Sequence, residues 1–357
     1  MTQPFIIDAH LDLAMNALEW NRDLTLPITE IRAAESGLKD KAGRGCGTVC
    51  LPEMRRGGIG MAVVTLIAKV KAQGFSPVSV WQSPEQAWAM TQGQLAWYRA
   101  LEDEGEIRLI SSRETLGQHV SLWESGKTSA IGCILSLEGA DSLITLKHLE
   151  RAYAYGLRAL GPSHYGPGIY AAGTDSTGGF TAKGRELLAE MQRLGMILDV
   201  THLTDEGFWE ALKTYSGPIW ASHHNCRALT PHQRQLSDDQ IRALIERDAV
   251  IGAALDGWML VPDWVRGRTT PEARGLRLEK VIEHVDHICQ IASDSLHVGL
   301  GSDLDGGFGK EQSPSNLETI ADVRHLPELI RERGGSEEDA NNFAHGNFLR
   351  FLLRALP

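Results

Sequence analysis

Short apolar runs alternate with longer amphipathic stretches along most of the chain. Eight runs read as strands: Phe5–Ala9, Met61–Ala68, Ile131–Leu137, Arg158–Leu160, Met196–Val200, Ile219–Ala221, Ala249–Ala254 and His297–Leu300. Most are continuously apolar, as strands buried on both faces should be. Helical patterns fall between them, over Pro84–Glu102, Leu143–Tyr155, Thr181–Leu194, Asp205–Thr214, Asp238–Arg247 and Leu276–Ala292. Ser83-Pro84-Glu85 and Ser237-Asp238-Asp239 supply cap residues where two of these helices should begin. Two more helices, Leu317–Arg333 and Ser336–Leu353, follow the last strand and are expected outside the sheet or across its end.

Alternating strands and helices imply a parallel sheet. Eight such strands imply closure into a (β/α)8 barrel rather than an open sheet. No GxGxxG follows the first strand, so a dinucleotide fold has no support. The stretch from Asn16 to Gly60 is long, Gly-rich and mixed in charge. It reads as an excursion over the barrel mouth or as a small subdomain. With no internal repeat and no low-complexity linker, residues 1–357 are read as a single barrel domain.

A chain of 357 residues with 42% hydrophobic residues suits one large core. There are 46 acidic and 35 basic residues, a net charge of −11, and no Lys/Arg block that could track phosphates. Nucleic acid is therefore not an expected partner. The five cysteines (46, 50, 133, 226 and 289) do not form a disulfide pattern, and Cys46 and Cys50 have no matching pair for a zinc knuckle. The N-terminal MTQPFIIDAH is not a secretory signal, no run approaches the ~18 apolar residues of a membrane span, and RFLLRALP is not an anchor signal. No membrane association and a cytoplasmic location are the expectation.

Polar residues with metal and acid–base chemistry stand directly after the strands. His10 and Asp12 follow the first, Glu138 the third, His164 the fourth, His202 the fifth, His223 and His224 the sixth, and Asp303 and Asp305 the eighth. In a barrel these strand ends form one rim, which holds the active site. Each residue alone has a plainer role, as a rim histidine, a surface glutamate or a turn aspartate. Their coincidence at one rim favours the chemical reading. His10-x-Asp12 places two ligands on one face of an extended chain. Three histidines and an aspartate around one glutamate make a two-zinc set. Glu138, the centrally placed carboxylate, is the expected bridge between two Zn2+ ions, together with a hydroxide. Asp303, in Gly301-Ser302-Asp303-Leu304-Asp305-Gly306, is placed to orient that hydroxide and carry its proton to a leaving amine.

The ordered set His10-x-Asp12, Ser-Leu-Glu138-Gly, Asp-Val-Thr-His202, Ser-His223 and Gly-Ser-Asp303-x-Asp-Gly resembles the membrane dipeptidase (renal dipeptidase) family of zinc metallopeptidases, over nearly the whole chain. The resemblance implies an amidohydrolase-type (β/α)8 barrel that hydrolyses dipeptides. It implies that His10 and Asp12 hold one zinc, His202 and His223 the other, that Glu138 bridges them, and that Asp303 is the acid/base. It further implies that His164 polarises the scissile carbonyl and binds the oxyanion, and that Arg234 binds the substrate's terminal carboxylate. A D residue at the C-terminal position of the substrate is compatible with the family. The loop Tyr165-Gly166-Pro167-Gly168-Ile169-Tyr170 departs from the animal form, so side-chain preference is left open.

Two other readings compete. A different binuclear amidohydrolase, acting on a lactam, a cyclic amide or an N-acyl amino acid, would share the metal chemistry. Arg234 would be idle on substrates lacking a free carboxylate. A non-catalytic, metal-stabilised barrel would lack Asp303 or His164, and both are present. The sequence leaves the oligomeric state open between monomer and homodimer.

Overall fold

The computed structural model describes residues 4–71, 76 and 78–357. All eight expected strands form, with ends within two residues of those read from the sequence: β1 Ile6–Leu11, β2 Ile59–Ile67, β3 Ile131–Glu138, β4 Leu157–Gly161, β5 Ile197–Asp199, β6 Ile219–Trp220, β7 Ile251–Ala253 and β8 Val298–Leu300. Neighbouring strands pair in parallel around the sheet from β7 through β8 and β1 to β6. An isolated parallel bridge between Ala221 and Ile251 joins β6 to β7 and closes the ring. The fold is a (β/α)8 barrel.

The strands are buried on both faces, and their alternation sorts the side chains. Along β3, Cys133, Leu135 and Leu137 pack outward against the helices, while Ile134 joins the inner cluster. The same period of two carries the inner face from Ile134 through Ser136 to Glu138. It is thus apolar at the base and polar at the rim. Ile7, Met61, Val63, Ala159, Ile197, Trp220 and Val250 fill the base with Ile134.

The C-terminal helix Asn347–Ala355 closes the base of the barrel, inserting Phe348, Phe351 and Leu352 into that inner cluster. The expected helix over 317–333 is divided: a 3-10 segment, Ile320–His325, precedes the α-helix Leu326–Glu332. Pro327, lacking an N–H, sits in the first turn of the second piece and starts it afresh. The expected 336–353 helix contains a wider π turn, Asn342–Gly346, between Glu337–Asn341 and Asn347–Ala355.

One short strand, Ile107–Leu109, escaped the sequence pattern. It pairs with the first half of β3, while β4 takes the second half. The 16–60 stretch carries the helices Ile28–Ala34 and Leu51–Arg56 and is tied to the loop after β8. Asp305 accepts bonds from Thr48 N at 2.8 Å and Val49 N at 3.0 Å, and pairs with Arg22 at 3.3 Å. Arg22 in turn bonds Glu35 at 2.8 Å. These groups are buried and mutually satisfied, which fixes the stretch against the loop after β8.

Candidate active site

The rim residues converge. Glu138, the last residue of β3, lies at the centre of His10, His164, His202 and His223. Its Oε2 faces His10 Nε2 at 3.4 Å. Its Oε1 faces His202 Nε2 at 3.2 Å and His223 Nε2 at 3.6 Å. His164 Nε2 lies 4.0 Å from the same Oε1. On the other side, His10 Nε2 is 3.8 Å from Asp12 Oδ1 and 3.9 Å from Asp303 Oδ1. All eight residues expected at the site, Arg234 among them, are therefore drawn together around one cavity of about 410 Å³ or lie directly against it.

The donor atoms fit divalent cations. Both carboxylate oxygens of Glu138 and His10 Nε2 are buried and make no hydrogen bond. Orphaned buried polar atoms of this kind are costly without a partner. Charge leads to the same place. Asp12, Glu138 and Asp303 are buried together. Burial and the charge of Glu138 push Asp12 up to about 7, though His10 and Thr65 oppose this. Burial raises Asp303 well above the ordinary range, helped by the charges of Asp12 and Glu138. Burial alone would depress His10, but Glu138, Asp12 and Asp303 raise it to about 10. Burial would raise Glu138 too, but the histidines around it hold it well below the usual carboxylate range. Three carboxylates buried so close together, two of them driven toward protonation, call for cations.

These side chains are held from behind. Thr65 Oγ1 donates to Asp12 Oδ1. Asp8 Oδ1 accepts from His10 N at 3.2 Å and Ser302 N at 2.8 Å, tying β1 to β8. Thr174 Oγ1 bonds His202 Nδ1 at 2.9 Å, and Ser222 Oγ bonds His223 Nδ1 at 2.9 Å. Each histidine therefore turns Nε2 to the centre and fixes Nδ1 on a hydroxyl. Asp303 has φ +58°, a left-handed conformation that aspartate and asparagine tolerate. A Cβ on Gly306 would stand 2.1 Å from Asp303 Oδ1, so glycine there leaves room for the carboxylate.

Arg234 is buried on the loop after β6. Its Nη2 donates to His223 O at 2.9 Å, while Nε and Nη1 have no partner. The N–H groups of Nε and Nη1 are thus left for an anion. His164 is buried beside Glu138, and burial lowers it to about 4, so its imidazole is neutral.

Several lining residues were not read from the sequence: Tyr165, Asp256, Trp258, Arg266 and Phe308. One signal could have found Asp256. His164, His202, His223 and Asp303 each stand three residues past their strands, and Asp256 stands three past β7. The hydroxyls of Thr65, Thr174 and Ser222 carry no such signal.

Residues 1–355 match the model of the membrane dipeptidase family, peptidase family M19, and the chain belongs to that family. It is a hydrolase of the metallo-dipeptidase class. Its relatives include an uncharacterised protein of Klebsiella pneumoniae, from the region 5′ of pqqA, 31% identical over 58% of this chain and 75% of that one. An uncharacterised dipeptidase of Schizosaccharomyces pombe is 27% identical over 62% of this chain and 52% of that one. The match with the dipeptidase TcpJ of Claviceps purpurea is 28% over 65% and 52%. The matched stretch thus spans about half the length of the two fungal relatives. The fold is shared with a metallopeptidase of Rhodobacter sphaeroides liganded with a phosphinate mimic of the dipeptide L-Ala-D-Ala, with TM-score 0.79, 24% identity and coverage of 99% and 100%. No helix among the described residues is long and apolar enough to cross a membrane.

Proposed function

We propose that the chain, acting as a single domain, is a zinc dipeptidase that hydrolyses dipeptides, including those with a D residue at the C-terminal position. The observation that carries this reading is Glu138, whose two buried oxygens face separate histidine sets and bond to neither. His10 and Asp12 would hold one zinc ion, His202 and His223 the other, and Glu138 would bridge them. When bound, the ions would supply Lewis acidity toward the peptide carbonyl and make water nucleophilic near neutral pH.

The remaining roles fall to the chain itself. Arg234 binds the substrate's terminal carboxylate through its N–H groups that lack a partner in the chain, among them those of Nε and Nη1, a planar donor group matched to a planar anion. His164, held neutral by burial, donates a hydrogen bond to the carbonyl oxygen as it becomes an oxyanion. Asp303 takes the proton from attacking water and delivers it to the leaving amine. The aromatic wall of Tyr165, Trp258 and Phe308 borders the space for the substrate side chains. The L-Ala-D-Ala mimic in the Rhodobacter sphaeroides relative supports the choice of substrate class.

A dipeptide library with L and D residues at the second position tests this reading. Hydrolysis of free dipeptides, lost when the C-terminal carboxylate is amidated, is expected. Hydrolysis of lactams or N-acyl amides in preference to any dipeptide would move the assignment to another binuclear amidohydrolase.

A further inference from the structure

Ser222 is fully buried between β6 and His223 and belongs to neither the ligand set nor the substrate cavity. Its Oγ lies 2.9 Å from His223 Nδ1 and 3.4 Å from His10 Nδ1. Both rings turn their other nitrogen, Nε2, toward Glu138. The two rings also lie against each other, with centroids 3.7 Å apart and planes tilted by 39°.

A histidine that offers Nε2 as an unprotonated ligand carries its hydrogen on Nδ1. This tautomer follows from the bonding network. Two Nδ1–H groups then point at Ser222 Oγ, and a hydroxyl has two acceptor positions and one donor. Both acceptor positions are filled. The Ser222 proton must go elsewhere, and Thr201 Oγ1 stands 3.3 Å away to receive it. The three hydrogens that meet at Ser222 Oγ are thereby accounted for.

The hydroxyl cannot easily move. Ser222 N donates to Asp199 Oδ1 at 3.1 Å. Its carbonyl oxygen packs so closely on Gly252 and Gly301 that a Cβ at either would come within 1.9 Å. By contrast, Thr174 serves one ring only, that of His202.

We infer that Ser222 is a positioning residue shared by the two metal sites, orienting a histidine of each through one hydroxyl and so linking the occupancy of one site to that of the other. This rests on the two-ion reading above, with His10 on one ion and His223 on the other. A neighbour that orients a ligating histidine is worth about 10- to 100-fold in metal affinity. Removing Ser222 should therefore weaken both sites, and removing Thr174 only one.

The test is zinc titration of the metal-free chain against a competing chromophoric chelator, with no activity readout. Wild type is expected to take up about two ions. Ser222→Ala is expected to lose roughly 10- to 100-fold in affinity in both binding steps, and Thr174→Ala in one. Far-UV circular dichroism of the metal-free variants checks that the barrel is intact. Should the alanine variant not fold, Ser222→Cys, a weaker acceptor of similar size, should lower both steps by less. A loss confined to one step in the Ser222 variant, or no loss, overturns the inference while leaving the two-ion reading in place. A single ion bound by wild type overturns that reading and, with it, the inference.

Discussion

Arg234 reaches across the loop after β6 to donate from Nη2 to the carbonyl oxygen of His223 at 2.9 Å. That bond sets the guanidinium beside the histidine cluster, in the wall of the cavity, with Nε and Nη1 left without a partner. Arg234→Lys keeps the charge but loses the planar fork. Both Arg234→Lys and Arg234→Ala should raise KM for dipeptides, the alanine variant lowering kcat/KM by roughly 10- to 100-fold, the range for bonds to charged groups. Steady-state kinetics on one good dipeptide decides it. Unchanged KM in the alanine variant would remove Arg234 from carboxylate recognition.

Asp303→Asn tests the proton carrier. Asparagine tolerates the left-handed backbone at this position, so the loop should keep its shape. Metal content should match wild type, and turnover should fall by about 10²- to 10⁴-fold, the usual weight of acid–base catalysis. Near-normal turnover would assign the proton transfer to another group.

His164 can be separated from the metals in the same way. Its Nε2 lies 4.0 Å from Glu138, and its role here is to donate to the oxyanion. His164→Ala should lower kcat by about 10²- to 10³-fold, with metal content unchanged. A variant that loses metal instead would make His164 a ligand.

The rim was readable because strand ends are readable. The apolar runs before His10, Glu138, His202 and His223 mark β1, β3, β5 and β6, and barrel geometry then places their ends together. Asp256 follows the same spacing after β7 but sits in the apolar run Leu255-Asp256-Gly257-Trp258-Met259 with no motif to mark it. Arg234 lies fourteen residues past the end of β6, where periodicity says nothing, and only its resemblance to the dipeptidase family singled it out. Ser222 and Thr174 were hidden for another reason. Serine and threonine are common, and their importance comes from facing ring nitrogens supplied by other loops.

The scaffold has a pH dependence that arises away from the metals. His284 Nδ1 accepts from Cys226 N at 3.1 Å and its Nε2 bonds Leu260 O at 3.3 Å, an arrangement only the neutral ring satisfies. Burial lowers its pKa from 6.5 to about 4. The unfolded chain therefore binds a proton more readily between those values, and stability falls as pH drops through that window. Denaturant unfolding of the metal-free chain should show a loss on the order of 2 kcal/mol from this group between about pH 7.5 and about pH 5. His284→Gln should flatten that slope. An equal slope in both chains would place the titration elsewhere.

The central claim is a two-zinc site bridged by Glu138, and elemental analysis of the purified, zinc-reconstituted chain tests it most directly. About two zinc ions per chain are expected. One ion, or none after reconstitution, would contradict it.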